Sequence, residues 1–452
     1  MTDVWSQQVV WRKIIGEQYD EIGRNVIELK DKGYLMVGLK QVRMPITNFL
    51  ILQSYIVKLN RFGDILWEKI IGDSVFSNTA ISAIEDKEGN IYLLYRTSNA
   101  QLMKLNALGN ILWNKSFSDI VILRGGSFTG DYKNFVFLSE TYTQSSSIIS
   151  ITKIDTSGNL IWNKTYSGPE TGNNSFLFLE NEYYICGGGF YYGFIIKTDS
   201  SGNLVWNKRF YGNRGLYSIA QNSENTFIAS GNGSAAGNLY ILKFNNKGDS
   251  LMGRNYVNDT VSFSIGYLKI VKNYDGNFAL GTTCGWNFGR LGMIDSSGNF
   301  LKSNYYYYPE NISVCQWNVN TTSDSGFILT GDIGVSSSES FPLDALIYKI
   351  DKYGNTVFIL NNEIQVDNFK TNIYPNPFNG SFKINFDLIF KSEVKIELFD
   401  INGKLIKEIE NSLLLPGNYP YYQNAENFNS GIYFLKFKVN ESIRTEKIVL
   451  IK

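Results

Sequence analysis

The residues of this chain that could do chemistry are its carboxylates, because no histidine occurs among the 452 residues. That composition excludes Ser-His-Asp and Cys-His catalysis and the common zinc sites that use imidazole. Carboxylate chemistry of the kind used in glycoside hydrolysis needs no histidine and stays open. No repeated pair of carboxylates stands apart from the aspartates of turns, so the sequence nominates no catalytic residue.

The most regular acidic positions begin a five-residue motif, [Asn/Asp]-x-x-Gly-[Asn/Asp]. Its seven copies start at Asn60, Asn106, Asp155, Asp199, Asn245, Asp295 and Asp351. A calcium loop needs several carboxylates and a downstream Glu, whereas three copies start with neutral Asn and no Glu recurs. A β-hairpin explains the spacing better, since the Asx side chain accepts backbone N–H groups two residues on and Gly adopts a left-handed conformation. We therefore expect no metal and no cofactor.

The three cysteines, Cys186, Cys284 and Cys315, do not form the even, regularly spaced framework of a disulfide-stapled protein. We expect them to be small buried hydrophobic residues. A Cys284–Cys315 pair is the one bridge that deserves a test.

Composition also limits the partners. The 42 basic and 42 acidic residues balance, so no positive excess favours nucleic acid. The sequence contains no stretch of 18 apolar residues, so it predicts no membrane span. Aromatic residues make up 15% of the chain and Gly is frequent, which suits pleated strands joined by turns. These features predict an all-β protein.

An internal repeat organises residues 1–360. Its clearest marker is a strand with Trp67, Trp113, Trp162 or Trp206, spaced by 44 to 49 residues. Each unit has the predicted hairpin, two preceding strands and a weaker fourth, which is the content of a propeller blade. Seven units predict a seven-bladed β-propeller, and the units resemble the β-propeller repeats common in secreted bacterial proteins. An eighth copy of the Trp strand, around Trp11, should close the last blade by pairing with Leu346–Ile350.

Two recurring side chains have a structural and a functional interpretation. The Trp residues could be ligand platforms, but recurrence at one strand position favours packing between blades. A Lys precedes most hairpins, for example Lys58 and Lys349. We expect its stem to lie on the sheet and its ammonium group to reach solvent.

A ligand site is expected on the face that carries the loops between second and third strands and the connections between blades, because those loops vary in length. The candidate contacts there are Arg43, Tyr191, Tyr192, Trp286, Arg290 and Asp344. Tyr and Trp rings could stack on sugars, although each is more often a packing residue.

Composition changes after residue 360. Residues 361–371 are polar and predict a linker. Residues 372–452 contain about seven short strands, including the strand, Asn-Gly turn and strand of Val394–Ile409, which predicts a β-sandwich of the immunoglobulin type.

Five motifs in this last segment resemble the type A C-terminal sorting domain of the type IX secretion system. They are Tyr374-PNPFNG, Leu398-FDINGK, Leu415-PGNY, Gly431-IYFLKF and Lys447-IVLIK. The matching positions are Tyr374, Pro375, Asn376, Pro377, Gly380, Leu398, Asp400, Gly403, Lys404, Gly417, Gly431, Tyr433, Lys447 and Lys452.

The resemblance implies a secreted or outer-membrane surface protein of a Bacteroidota-type bacterium. Its implied partners are the type IX translocon and the C-terminal signal peptidase, which removes such domains. The start of the sequence has no basic region and apolar core, and we expect that a signal peptide has been trimmed. For the propeller we favour a non-catalytic binding or scaffold role, with a glycan or surface protein as ligand. The alternative is a polysaccharide-active hydrolase or lyase that uses carboxylates.

Overall fold

The described part of the chain consists of strands and the turns between them. The computed structural model describes residues 10–16, 19–44, 49–72, 77–117, 120, 128–130, 134–142, 147–168, 175–179, 182–188, 191–233, 238–256, 269–281, 283–286, 288–307, 312–335, 343–355, 369–388, 392–415, 417–439 and 442–452. These ranges contain no helix, and therefore none that is long and apolar enough to cross a membrane. The chain divides into two compact units, Met1–Val357 and Phe358–Lys452.

Successive antiparallel strands form the sheets of the first unit. Sheet 1 contains β2 (Glu21–Glu28), β3 (Tyr34–Arg43), β4 (Leu50–Leu59) and β5 (Ile65–Ile71). Sheet 2 contains β6 (Thr79–Glu85), β7 (Ile91–Arg96), β8 (Ala100–Leu105) and β9 (Ile111–Phe117). Sheet 3 contains β10 (Phe128–Gly130), β11 (Asn134–Tyr142), β12 (Ser147–Asp155) and β13 (Leu160–Gly168).

The next three sheets repeat this order. Sheet 4 contains β14 (Ser175–Leu179), β15 (Glu182–Gly188), β16 (Tyr192–Asp199) and β17 (Leu204–Tyr211). Sheet 5 contains β18 (Asn213–Ser223), β19 (Thr226–Gly233), β20 (Leu239–Asn245) and β21 (Ser250–Tyr256). Sheet 6 contains β22 (Lys269–Lys272), β23 (Phe278–Gly281), β25 (Phe288–Ile294) and β26 (Phe300–Tyr307).

Sheet 7 takes strands from three parts of the chain. Its order is β1 (Trp11–Ile15), β29 (Asp344–Ile350), β28 (Phe327–Val335), β27 (Ile312–Thr321) and β24 (Thr283–Trp286). The N-terminal strand β1 is antiparallel to β29, with Trp11 opposite Lys349 and Ile15 opposite Ala345. The pairing predicted from the surplus Trp strand is therefore present. Residues 356–362, the only other segment of the last repeat that could have taken this place, lie outside the described residues.

Each sheet packs on a neighbour through apolar side chains, and the series returns to its beginning. Leu35 of sheet 1 and Leu93 of sheet 2 share one buried cluster, whereas Val57 of sheet 1 and Ile347 of sheet 7 share another. Further clusters join sheets 2 and 3, 3 and 4, 4 and 5, and 5 and 6. This arrangement is a β-propeller-like fold of repeated sheets.

The seven predicted hairpins form as expected. In every copy the Oδ1 atom of the first residue accepts the backbone N–H groups two and four residues later, at 2.7 to 3.0 Å. The Gly of each hairpin has φ between 75° and 86°. That left-handed conformation strains residues with a Cβ atom, which explains the constant Gly.

Strand β24 departs from the repeat. It follows the second strand of sheet 6 but pairs with β27 of sheet 7, which places Cys284 opposite Cys315. Cys315 is disulfide-bonded, so the expectation of three buried, unbonded cysteines is wrong for this residue. Sequence spacing could not show that β24 changes sheet. Cys186 is free and fully buried as expected, and burial raises the pKa of its thiol to about 12.

The second unit is built from two sheets that share one apolar core. Sheet 8 has the order β30 (Phe369–Tyr374), β31 (Ser381–Leu388) and β34 (Gly417–Asn424). Sheet 9 has the order β33 (Leu405–Leu414), β32 (Ser392–Asp400), β35 (Gly431–Val439) and β36 (Ser442–Leu450). Buried residues of both sheets, such as Phe386 and Phe437 with ring centroids 6.2 Å apart, form this core.

The predicted linker, residues 361–371, extends too far. Strand β30 already begins at Phe369, whose side chain is buried in the core of the second unit. Because its sequence neighbours are polar, this single buried ring is not recognisable from the composition of the segment. Residues 361–368 lie outside the described residues.

Candidate functional site

The repeated Trp residues are packing residues. A Cβ atom placed on Gly63 would lie 2.7 Å from the indole ring of Trp11. The same relation joins four further pairs, at 2.8 to 3.2 Å: Trp67 with Gly109, Trp113 with Gly158, Trp162 with Gly202 and Trp206 with Gly248. Each ring therefore covers the hairpin Gly of the next sheet. This arrangement leaves those indole faces occupied by protein.

Three of the Lys residues before the hairpins, Lys58, Lys197 and Lys349, are buried, so the expected exposed ammonium group is wrong for them. The Nζ atom of Lys58 lies 2.9 Å from the Asp31 carboxylate. Lys197 pairs with Glu182 at 2.7 Å, and the almost fully buried Lys349 pairs with Asp324 at 2.9 Å. The partner carboxylate comes from the preceding strand or turn of the same sheet, a contact that the local pattern did not reveal.

Several Lys and Trp donors also reach the next sheet. Lys197 Nζ and Trp206 Nε1 donate to the carbonyl oxygen of Asn246, at 3.3 and 3.1 Å. Trp11 Nε1 donates to the carbonyl of Arg61 at 3.0 Å, across the closing interface. The carbonyl oxygen of the second hairpin residue thus accepts hydrogen bonds from Lys or Trp side chains of the preceding sheet. These polar groups therefore have a structural role.

We call the first strand of each of sheets 1 to 6, and β27 of sheet 7, the inner strand of that sheet; the last strand of each of sheets 1 to 6, and β1 of sheet 7, is the outer strand. Polar side chains also connect the inner strands of neighbouring sheets. Asn25 donates to Ser82 Oγ at 2.8 Å, joining sheets 1 and 2. Lys269 donates to the amide oxygens of Asn318 and Asn320 at 3.1 and 2.7 Å, joining sheets 6 and 7. Burial lowers the pKa of Lys269 to about 8.

A bulge recurs in these inner strands, and the sequence analysis missed it. The register of sheets 1, 2, 5 and 7 shifts just before Asn25, Ser82, Ser218 and Asn318. A bulge re-aims the next side chain. The available signal was a small polar residue directly before an apolar one in each of these strands, as in Asn25-Val26 and Ser82-Ala83.

The expected ligand-face residues belong to four different sheets. Arg43 is exposed and donates from Nε to the Tyr19 hydroxyl at 2.8 Å. Asp344 lies against Gly16, where a Cβ atom would be 1.6 Å from its Oδ1 atom. The backbone of Trp286 belongs to β24, and its side chain lies outside the described residues.

Arg290 is wrong as a surface contact, because its side chain is fully buried. Its Nε atom donates to Ser303 Oγ at 2.8 Å, and its guanidinium group lies 5.1 Å from the Tyr305 ring centroid. Burial lowers the pKa of the guanidinium group. The sequence placed it near a loop but could not show that the side chain turns inward.

Tyr191 and Tyr192 lie at the end of sheet 4, where Tyr192 contacts side chains of β17. Tyr191 is 82% exposed. Tyr192 lies opposite Tyr211, with ring centroids 5.8 Å apart, and the Arg209 guanidinium lies 4.9 Å from the Tyr192 ring centroid. Tyr211 is itself 68% exposed. Sequence reasoning missed Arg209 and Tyr211, although the aromatic end of the outer strand, Arg209-Phe-Tyr211, was a usable signal.

A cleft of about 650 Å³ lies at the other end of the inner strands, away from the expected ligand face. Ile219 and Ile270 contribute apolar surface, and Gln221, Glu224 and Lys272 contribute polar groups. Lys272 Nζ donates to the carbonyl of Asn222 at 2.5 Å, so its ammonium group already has a protein partner beside the cleft.

The described carboxylates do not form a metal centre. No group of three or more Cys, Asp or Glu residues in the described ranges could hold a metal ion. Burial raises the pKa of Glu85, but its carboxylate accepts the backbone N–H of Lys30 at 2.7 Å. Asp155 and Asp295 have a pKa below the usual value, because hydrogen bonds within the hairpin outweigh desolvation.

In the second unit, the Tyr374-Pro-Asn-Pro-Phe segment binds the last strand. Asn376 donates from Nδ2 to the Lys447 carbonyl and accepts the Val449 N–H, both at 3.0 Å. Phe378 continues this contact by exchanging backbone hydrogen bonds with Val449 and Ile451 at 2.9 Å. Two separate motifs therefore form one structural element.

Most of the other motif residues have local structural roles. Asp400 accepts the N–H groups of Asn402 and Lys404 at 2.9 Å. Leu398 and Tyr433 lie in the core, and Gly380 and Gly403 have φ near 80°. The Lys452 N–H donates to Ser430 Oγ at 3.0 Å. Tyr374, Pro375, Pro377, Gly417, Gly431 and Lys447 are exposed.

Comparison with known proteins identifies the second unit. Residues 372–452 match the family model of the secretion system C-terminal sorting domain. No curated protein matches the sequence. The sorting domain implies secretion through the type IX system, to the medium or the cell surface.

Similarity to solved structures is distant. The type IX surface component PorZ of Porphyromonas gingivalis is 10% identical, with a TM-score of 0.28, covering 96% of this chain and 82% of that chain. The WD40 domain of Toxoplasma gondii coronin is 7% identical, with a TM-score of 0.47 and coverage of 78% and 89%. A functionally unknown Desulfotomaculum acetoxidans protein is 12% identical, with a TM-score of 0.42 and coverage of 85% and 98%. At these scores none supports an argument about function.

Proposed function

We propose that this chain is an exported binding protein. Its first unit is a seven-bladed β-propeller that ends near residue 360. Its second unit is an immunoglobulin-like sandwich from Phe369 onward that directs export and is then removed by the C-terminal signal peptidase. The propeller presents a ligand surface and performs no catalysis.

The match of residues 372–452 to the sorting-domain family carries the export proposal. The domain also shows how its motifs cooperate, because Asn376 and Phe378 hold the end of β36. The disulfide at Cys315 fits an oxidising compartment, where such bonds persist. These observations favour passage through the periplasm to recognition by the translocon.

The seven-bladed arrangement is supported by strand pairing. Six sheets of four strands and one sheet closed by β1 account for the strands described in the first unit. Pairing of β1 with β29 removes the open edge that the last blade would otherwise expose. Buried apolar clusters join sheets 1 to 6 in order and sheet 7 to sheet 1. Hydrogen bonds from Lys269 to Asn318 and Asn320 join sheet 6 to sheet 7.

A binding role is favoured over catalysis by the placement of the charged groups. The carboxylates with shifted pKa values are held in turns or ion pairs, as Asp324 and Asp155 illustrate. In contrast, Tyr211 exposes most of its surface beside Tyr192, whose ring lies 4.9 Å from the Arg209 guanidinium. Exposed, rigid aromatic residues are typical of binding surfaces.

Fractionation of the native host tests this function. Cells that produce the chain without residues 369–452 should retain the folded propeller in the periplasm, whereas the full chain should reach the surface or the medium. A matched variant that lacks only the last strand, residues 442–452, should be retained too. Normal export of both truncated chains would contradict the proposed role of the second unit. Turnover of a polysaccharide by the purified full chain would contradict the binding role.

A further inference from the structure

The end of sheet 4 and the adjoining start of sheet 5 carry aromatic and cationic side chains, which we call the Tyr-Arg platform: Tyr191, Tyr192, Arg209, Tyr211 and Arg214. Tyr192 and Tyr211 are opposite each other on neighbouring strands. Arg209 lies over the Tyr192 ring at 4.9 Å. The exposed faces of Tyr191 and Tyr211 are the largest available surfaces of this cluster, at 82% and 68%.

The platform is exposed because the connection after it is short. Only Gly212 separates β17 from β18, so no long loop follows Tyr211. Asn213 fixes this turn, since its Nδ2 atom donates to the Phe210 carbonyl at 2.8 Å and its Oδ1 atom accepts the Gly215 N–H at 2.9 Å. Asn255 of the next outer strand donates to the Gly212 carbonyl at 3.0 Å.

These bonds limit the conformational freedom of the backbone that presents Tyr211. A surface that is ordered before binding loses less entropy when a ligand docks. Close packing of the glycines behind the platform has the same effect. A Cβ atom on Gly188 would lie 2.0 Å from the Cα atom of Gly215, so these backbones pack without intervening side chains.

The charge of the platform is positive. Arg209 and Arg214 are both exposed, and neither forms an ion pair with a carboxylate in the described ranges. The chain as a whole has no net charge, so the two arginines do not simply reflect a basic protein. An anionic ligand would receive the charge-assisted hydrogen bonds that a guanidinium group can donate.

We infer that the Tyr-Arg platform binds an acidic polysaccharide, with Tyr191 and Tyr211 contacting sugar rings and Arg209 and Arg214 contacting carboxylate or sulfate groups. The flat aromatic rings offer apolar faces for the C–H groups of pyranose rings, which an acidic peptide does not present in a comparable array. This assignment rests on the proposed binding role and names the ligand class.

Binding of the full chain to polygalacturonate, alginate and heparin tests the inference, with dextran as the neutral polysaccharide and poly-glutamate as the acidic peptide. Affinity electrophoresis or titration calorimetry gives the dissociation constant. We expect binding to at least one acidic polysaccharide that weakens as NaCl rises from about 50 mM to about 500 mM. Tyr211→Ala and Arg209→Gln should each weaken it about tenfold.

Two matched substitutions control for general effects. Tyr274→Ala removes a tyrosine that is 65% exposed in a turn at the other end of the sheets. Arg61→Gln removes an exposed guanidinium group that lies 4.6 Å from the Phe62 ring centroid. Both variants should bind as the unaltered chain does.

Each other outcome overturns the inference. Equal binding to poly-glutamate would indicate a general anion site, and binding to dextran alone would exclude the acidic class. Binding that survives Tyr211→Ala and Arg209→Gln would place the site elsewhere. Failure of the full chain to bind any acidic polysaccharide would refute the ligand class, while the fractionation experiment would still decide the export function independently.

Discussion

The indole ring of Trp11 covers Gly63, and its Nε1 atom donates to the carbonyl of Arg61 at 3.0 Å. Trp11 belongs to the N-terminal strand that completes sheet 7, and Gly63 belongs to the hairpin of sheet 1. The same contact joins sheet 1 to sheet 2 through Trp67 and Gly109. The closing interface thus uses the contact found between consecutive repeats.

Substitution of Gly63 by Ala should therefore be more harmful than substitution of an unpacked turn glycine. Gly63 has φ 86°, and an added Cβ atom would lie 2.7 Å from the Trp11 ring. Backbone strain and overpacking together should therefore lower the free energy of unfolding by about 3 kcal/mol or more. Gly276→Ala is the control, because Gly276 has φ 81° and no atom within 4 Å of a placed Cβ. The Gly276→Ala variant should lose only about 1–2 kcal/mol of unfolding free energy. Urea unfolding of both variants measures the difference, and equal losses would show that Trp11 does not restrict Gly63.

The ion pair between the buried Lys349 and the partly exposed Asp324 should contribute to stability in a pH-dependent way. Burial opposes ionisation of Asp324, but hydrogen bonds from Thr322 and Lys349 outweigh it and hold the pKa below the usual value. A lowered folded-state pKa gives stability that is present above the unfolded-state pKa and lost as the pH falls through the folded-state pKa. Lys349→Met should lower the free energy of unfolding by about 3 kcal/mol at neutral pH.

The difference between the unaltered chain and Lys349→Met should shrink below about pH 4. Lys208→Met is the control, because its pair with Asp249 is exposed on both sides, and exposed pairs contribute little. Denaturant unfolding at several pH values provides the measurement. A difference that does not change with pH would mean that packing of the Lys349 stem, not the ion pair, stabilises this sheet.

Reduction of the disulfide should destabilise the first unit. The register partners Cys284 and Cys315 enclose about 30 residues, for which loop closure in the unfolded chain predicts roughly 3 kcal/mol. Thermal melts with and without a reductant measure this loss. Cys315→Ser should already melt at the lower temperature and should not respond to reductant. A melting temperature of the unaltered chain that is insensitive to complete reduction, verified by thiol titration, would contradict the prediction.

The end of the last strand should loosen when Asn376 is replaced. Asn376→Ala removes two hydrogen bonds to β36, so the amide of Val449 should exchange faster with deuterium, and export in the native host should fall. Asn372→Ala is the control, because Asn372 is exposed on β30 and has no bond to β36. Unchanged exchange at Val449 would show that the backbone bonds of Phe378 suffice.

The sequence predicted the features that depend on short spacing. The hairpins that begin at Asn60 and Asp155 follow from local hydrogen bonds between an Asx side chain and the next few amides. The partner of β1 was also predictable, because the surplus Trp strand left one ladder position for it. The motifs of the second unit were sufficient to indicate the sorting domain.

Features that depend on contacts between distant segments were not predictable. The carboxylate partner of Lys349, the transfer of β24 to sheet 7 and the inward turn of Arg290 each require knowledge of the neighbouring sheet. The Tyr-Arg platform was half predicted. Tyr191 and Tyr192 were named from their loop, whereas Arg209 and Tyr211 come from a neighbouring strand that only the register places beside them.

Removal of residues 1–16 is the most direct test, because the proposed seven-bladed ring depends on closure by β1. The deletion exposes the edge of β29 and removes the ring of Trp11 from Gly63. We predict that the full chain without these residues unfolds with roughly 3–5 kcal/mol less stability in urea. A synthetic peptide of residues 10–16 should restore part of that loss. Unfolding that coincides with that of the intact chain would contradict a ring closed by the N-terminal strand.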